Sequence, residues 1–197
     1  MSANLALSTS LPVSLFPFSQ PESNVIMPYS FTVGSIRCHI LSDDKTPTDG
    51  GGFFGLIPRV LWQRMIQPDE NNMIPSDTRV LLIESDRGLI LVDTGYGDKM
   101  DAKVRGRLGL TTTDRIAREL AMVGFKPEDV AHVILTHYHG DHAGGATRFD
   151  TSDHSPGRLI PTYANAHYYG QGGDLADANN PNERTAATYH RDNWQPL

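Results

Sequence analysis

One cysteine, Cys38, is all that the 197-residue chain contains. That excludes an intrachain disulfide and any zinc cage built on thiolates, and it suits a small buried hydrophobe on a strand. Long apolar runs are absent as well: none approaches the roughly 18 residues that a membrane-spanning helix needs. The apolar patch Leu11-Pro12-Val13-Ser14-Leu15-Phe16 has no basic region before it and is interrupted by Pro12 and Pro17, so it does not read as a secretory signal. Lys and Arg form no basic run, and the formal charge is −6. A nucleic-acid partner, which would call for a basic face, is therefore not expected. The expectation is a cytoplasmic protein with no membrane partner; its oligomeric state is left open.

What is present is globular composition, 39% hydrophobic and 20% charged, with 18 Gly and 13 Pro to supply turns. The length suits one domain. Residues 1–28, rich in Ser and Pro without a sustained period, read as a poorly ordered N-terminal arm, and residues 29–197 as the domain. Order should begin with a strand at Tyr29–Val33, a turn at Gly34-Ser35 and a returning strand Ile36–Leu41. A polar loop follows around Asp49-Gly50-Gly51-Gly52-Phe53-Phe54-Gly55, then a short helical segment near Pro58–Met65. Val80–Glu84 and Leu89–Val92 read as strands joined by Asp86-Arg87-Gly88, and their apolar character suggests a sheet covered on both faces. A helix capped by Thr112 or Thr113 should carry Ile116, Leu120 and Val123 on one face and stop at Gly124 and Pro127. The strand Ala131–Leu135 then enters a His-rich loop, giving α/β architecture with its chemistry at a strand's C-terminal end.

That loop, Thr136-His137-Tyr138-His139-Gly140-Asp141-His142, holds four potential metal ligands within six residues: His137, His139, Asp141 and His142. Imidazole nitrogen and carboxylate oxygen suit zinc and similar divalent ions. A helix would scatter these side chains around its circumference; an irregular loop can turn them toward one or two adjacent ions. Gly140, Gly144 and Gly145 provide the backbone freedom such a loop needs. Of the remaining histidines, none of which reads as a ligand, His39 and His132 read as structural or exposed, His154 lies in a polar loop, and His167 and His190 could approach substrate. Phe53, Phe54, Trp62 and Tyr96 are candidates for an apolar pocket wall, although residues of this kind more often fill the core.

The run from His137 to His142 resembles the His-x-His-x-Asp-His signature of the metallo-β-lactamase superfamily. Leu91-Val92-Asp93-Thr94-Gly95 is similar to that superfamily's strand-ending Asp-Thr-Gly segment. The stretches Asp49–Gly55 through Leu61-Trp62, and Asn179-Asn180-Pro181-Asn182-Glu183-Arg184-Thr185, look like a branch of lactonase-like and organophosphate-hydrolase-like proteins. The resemblance implies that His137 and His139 bind a first ion and His142 and Asp141 a second. Zinc or another divalent ion is implied, two per complete site, with Asp141 also orienting the nucleophile. Asp93 would support the ligands from beneath. The implied activity is hydrolysis of an ester, lactone, thioester or phosphoester in a small-molecule substrate, through a dinuclear-metal-activated water. An imidazole at His139, where the redox-active diiron branch carries a carboxylate, favours the hydrolytic type.

The family also implies a further His, a bridging Asp and a final His on later strands, and no such segments follow Thr185 in this sequence. The expectation is therefore the N-terminal portion of an αββα sandwich whose second half is largely absent, with sheet edges and one apolar face uncovered. Such a chain would bind metal weakly and turn over little substrate. The alternative is a non-catalytic remnant that serves as a binding or assembly module.

Overall fold

A computed structural model describes residues 27–111, 113–152 and 157–197. The expectations for the N-terminal arm up to residue 26, for Thr112 as a cap and for His154 lie outside the described residues. Strand β1 (Tyr29–Val33) turns at Gly34-Ser35, where Gly34 takes φ 62°, and pairs antiparallel with β2 (Ile36–Asp49). β2 pairs in turn with β3 (Met73–Ser85), and β3 with β4 (Gly88–Val92), both antiparallel. β5 (Val130–Leu135) and β8 (His167–Gly170) then add in parallel, completing a six-stranded sheet in the order β1-β2-β3-β4-β5-β8. A separate two-stranded sheet joins β6 (Thr147–Phe149) and β7 (Leu159–Pro161).

β2 and β3 run well beyond the expected strands. Their ladder continues through Pro47↔Pro75 to Asp49↔Met73, so the expected polar loop begins instead as strand and then helix. Asp49 caps that helix, α1 (Gly50–Phe54), by accepting from the Gly52 amide at 2.6 Å. The short α2 (Arg59–Trp62) matches the helical segment expected there. Trp62 is buried and stacks on Phe54 at 4.8 Å, with Gly50 beneath its ring, whereas Phe53 is exposed. The aromatic group thus divides between packing and surface rather than lining one pocket.

α3 (Ala102–Leu108) has no counterpart in the sequence reading. It buries no residue, so no apolar period announces it; its signals are the Asp101 carboxylate, accepting from the Lys103 and Val104 amides, and left-handed Gly109 behind it. α4 (Arg115–Met122) is the expected amphipathic helix, with Ile116 and Leu120 buried and Val123 packed against the core. Its entry differs: Asp114, at φ 52°, precedes it, and the Asp114 amide donates to the Asp98 carboxylate. On the inner surface of α4, buried Glu119 accepts from the Ser42 amide at 2.6 Å and from Arg115 at 3.1 Å, pinning the helix to β2.

The core lies between this helix side and one face of the sheet, where Leu41, Val80, Leu82, Leu91, Val133 and Leu135 meet Ile116 and Leu120. Burying each such side chain contributes about 1.5–3 kcal/mol. The other face is less covered: Leu81, Ile83, Ile90 and Val92 are half-buried and Ile134 is exposed. Burial alternates along β3 and β4, so the described residues do not cover both faces as the apolar character of these strands suggested. Besides β6, β7 and β8, the described chain after β5 forms α5 (Gly140–Ala143), α6 (Gly172–Asn179) and 3-10 turns at Gly144–Ala146 and Arg191–Asn193.

Candidate metal centre

The parallel pair β4 and β5 ends side by side, and the site grows from those two ends. After β4 the chain kinks at Asp93, whose φ of 62° is uncommon for a residue other than glycine. Its amide donates to the Ile134 carbonyl at 2.8 Å, fixing it beside the last residues of β5. The Asp93 carboxylate accepts from the Thr136 amide at 2.8 Å and the Thr136 hydroxyl at 2.9 Å. It also bonds His142 Nδ1 at 2.8 Å. One side chain therefore ties the start of the His-rich loop to its end. Thr94 adds a second tie: its amide and hydroxyl both donate to the His142 carbonyl, at 2.7 and 2.8 Å.

Within this frame, His137, Asp141 and His142 each present one ligand atom, and these atoms lie within 4.8 Å of one another. His142 Nε2 is 3.4 Å from Asp141 Oδ2. The His137 ring lies 3.9 Å from that of His142, centroid to centroid, and 4.6 Å from that of His139. His139 is thus adjacent to the cluster without joining its converged donors. The donor chemistry fits a divalent ion: imidazole and carboxylate converge, and Asp93 fixes the ring of His142 through Nδ1, so that Nε2 faces Asp141 as the atom that would bind metal.

The electrostatics follow from this geometry. Hydrogen bonds to Asp141 and Asp93 push His142 up to about 9. Asp141 lies below its ordinary value, chiefly through its bond to His142. Burial would raise Asp93, but its bonds from His142 and Thr136 outweigh burial and hold it low. His137 is lowered by burial and by the neighbouring His142 charge. Below about pH 9 His142 is therefore a cation between two carboxylates, and a metal ion binding there would have to displace its proton. His142 stabilises the fold fully below its ordinary value near 6.5, and this contribution disappears as pH rises through about 9. Lys99, held at about 8, and Asp43, held at about 6, titrate in the same range. The expected result is therefore a difference: with chelator present, the Tm advantage of the wild type over His142→Gln shrinks as pH is raised from 7 through about 9. A constant or growing advantage would contradict it.

Gly144 and Gly145 take negative φ, so conformational freedom is not what they supply. Their role is space. A Cβ on Gly144 would strike the Tyr96 carbonyl, and one on Gly145 the Thr94 carbonyl. The Gly145 amide donates to Gly95 at 3.0 Å, holding the chain after the ligand loop against the chain after β4. Buried Asp43 secures the other side of that segment, accepting from the Tyr96 amide at 2.7 Å. The sequence reading missed Asp43; its only signal is the carboxylate pair Asp43-Asp44 interrupting an apolar strand.

The remaining histidines fall elsewhere. His39 is buried between Ser30 and Glu84, with both contacts at 2.7 Å. His132 and His167 stack on one another along β5 and β8. His190 is exposed and lies close to Gly140. Tyr96 and His190 line a small cavity of about 190 Å³ together with Met100. Among the described residues, no helix is long and apolar enough to cross a membrane.

The α/β sheet and the His and Asp donors converged at its parallel strand ends agree with one family of proteins. The family model described as the metallo-beta-lactamase superfamily matches residues 74–186, more than half of the chain, and the chain belongs to that superfamily. A probable metallo-hydrolase of Mycobacterium tuberculosis is 40% identical over 79 residues, which cover 36% of this chain and 25% of the relative. An N-acyl homoserine lactonase of Bacillus cereus is 37% identical over 81 residues, covering 36% of this chain and 32% of the relative. Among solved structures, a probable metal-dependent hydrolase from Staphylococcus aureus superposes with TM-score 0.73 at 29% identity, over 83% of this chain and 56% of that one. AidC, a dizinc quorum-quenching lactonase in complex with a product, shares the fold with TM-score 0.61 at 21% identity, over 83% of this chain and 55% of its own. The chain thus spans about half the length of these solved relatives.

Proposed function

We propose that this chain carries the His-rich metal-binding loop of a metal-dependent hydrolase acting on a small lactone or ester. The observation that carries the reading is the convergence of His137, Asp141 and His142 donor atoms within 4.8 Å of one another. The likeness to N-acyl homoserine lactonases supports the substrate class. His137, Asp141 and His142 would hold a divalent ion, with His139 beside them to extend the set toward a second. When bound, zinc or a similar ion supplies Lewis acidity and lowers the pKa of a water toward neutrality.

The chain's own residues prepare that chemistry. Asp93 orients the His142 ring through Nδ1, so that Nε2 is the atom presented. Asp141, held ionised, offers a carboxylate oxygen that can accept a hydrogen bond from the nucleophile or bind metal. Thr94 and Thr136 fix the loop ends, so the donors need little reorganisation on loading. A second reading, a binding module without turnover, draws on the position of His139 outside the converged set, which leaves one three-donor cluster.

The test is a hydrolysis screen of the metal-loaded chain and of its chelator-treated form against N-acyl homoserine lactones, aryl esters and phosphotriesters. Chelator-sensitive turnover of a lactone or ester supports the proposal. Metal uptake without turnover supports the binding module instead.

A further inference from the structure

His139 is the one member of the sequence motif that the loop's own hydrogen bonds do not orient. Among the described residues no side-chain hydrogen bond engages its ring; it rests against His137 at 4.6 Å and against Tyr189 at 5.0 Å. Tyr189 belongs to the segment beyond α6, which returns across the ligand loop. His139 and Tyr189 form an isolated antiparallel bridge, and the Gly140 amide donates to the Thr188 carbonyl at 3.1 Å.

Tyr189 is itself held. Its hydroxyl donates to Asp174 Oδ1 at 2.8 Å, and Asp174 Oδ2 accepts from the Tyr138 amide at 2.7 Å. Asp174 lies in the first turn of α6, so one carboxylate links that helix, the ligand loop and the returning segment. Trp194 closes the group, with its ring edge-on to Tyr138 at 5.4 Å and to Tyr189 at 6.4 Å. Gly170 allows the approach of Tyr138, since a Cβ there would strike the Tyr138 hydroxyl.

We propose that Asp174 and Tyr189 form a clamp that sets the orientation of the His139 ring and so controls its delivery to a metal ion. Metal-bound histidines are commonly oriented by a hydrogen bond from the second ring nitrogen to a carboxylate or carbonyl, the arrangement His142 has with Asp93. For His139, an aromatic wall takes that part, and the carboxylate acts one step removed, by pinning the wall. Asp174 and Tyr189 are positioning residues on this account; neither belongs to the donor cluster.

The inference rests on the metal-centre reading above, and its experiment separates the two. Zinc affinity is measured by titration calorimetry on the full chain and on Tyr189→Phe, Tyr189→Leu and Asp174→Asn, together with the visible spectrum of each cobalt(II)-loaded protein and its metal-free Tm. Loss of the ring in Tyr189→Leu should weaken zinc binding about 10–100-fold and alter the cobalt bands. Tyr189→Phe, which keeps the ring, should recover most of that affinity, and Asp174→Asn should fall between them. If Tyr189→Leu does not fold, the ranking of Tyr189→Phe and Asp174→Asn below the wild type carries the test. A fall in Tm with zinc affinity and cobalt spectrum unchanged would overturn the clamp while leaving the metal centre standing. Absence of zinc binding by the wild type would overturn both.

Discussion

Gly145→Ala is expected to destabilise the metal-free chain by about 3 kcal/mol, the upper end for forcing extra atoms into a closed space. The new methyl would meet the Thr94 carbonyl, and behind it the Thr94 side chain. A flexible side-chain end would move aside at small cost, but this obstacle is main chain that is itself hydrogen-bonded. The Thr94 amide and hydroxyl both hold the His142 carbonyl, so displacing Thr94 pulls on the ligand loop as well. Zinc affinity should therefore fall together with stability. Gly173→Ala is the control: it lies in α6 with nothing near its Cβ position, and there alanine should be neutral or stabilising by up to about 1 kcal/mol. Urea unfolding of the two variants measures the contrast. Equal stability for Gly145→Ala and the wild type would show that the two segments are not packed as described.

Asp93→Asn should have the second large effect, and it should fall on the site more than on the fold. Asparagine preserves shape and tolerates the left-handed backbone at this position, so little strain is added. It removes the charge that faces His142 and can no longer accept from Thr136 and His142 together in the present arrangement. Zinc affinity is expected to fall about 10–100-fold, the usual consequence of losing a carboxylate behind a metal-bound histidine. In the metal-free protein the same substitution should move His142 down from about 9 toward its ordinary value. An NMR titration of the His142 ring reads that shift without any metal present. An unmoved His142 would mean that Asp141 alone sustains the raised value, and Asp93 would lose its assigned part.

The ligand loop was legible because its evidence is local. Four donors stand within six residues, immediately after a buried strand, and the structure converges His137, Asp141 and His142 as that spacing allows. The helix carrying Ile116 and Leu120 was legible for a similar reason, since its apolar period records the face it buries. What escaped depends on contacts between distant positions. The long β2–β3 ladder passes through Pro47 and Pro75, which argue against a strand when read alone and are tolerated because neither β1 nor β4 reaches this part of the ladder, so each strand has an open outer edge there. α3 buries nothing and so leaves no pattern. The Asp93–His142 bond spans 49 positions, and the Asp174 contacts that buttress the loop span 36 and 15. No local period encodes such distances. The glycines after the loop were recognised as necessary for the wrong reason, because close approach of two backbones is a property of the packed fold.

The proposed metal centre is built on His137, Asp141 and His142 at the ends of β4 and β5. Zinc-soaked crystals, with anomalous differences collected on either side of the zinc absorption edge, test it most directly. An anomalous peak is expected within bonding distance of His142 Nε2, a His137 ring nitrogen and an Asp141 carboxylate oxygen. A zinc peak bound elsewhere, or an empty cluster at saturating zinc, would contradict it.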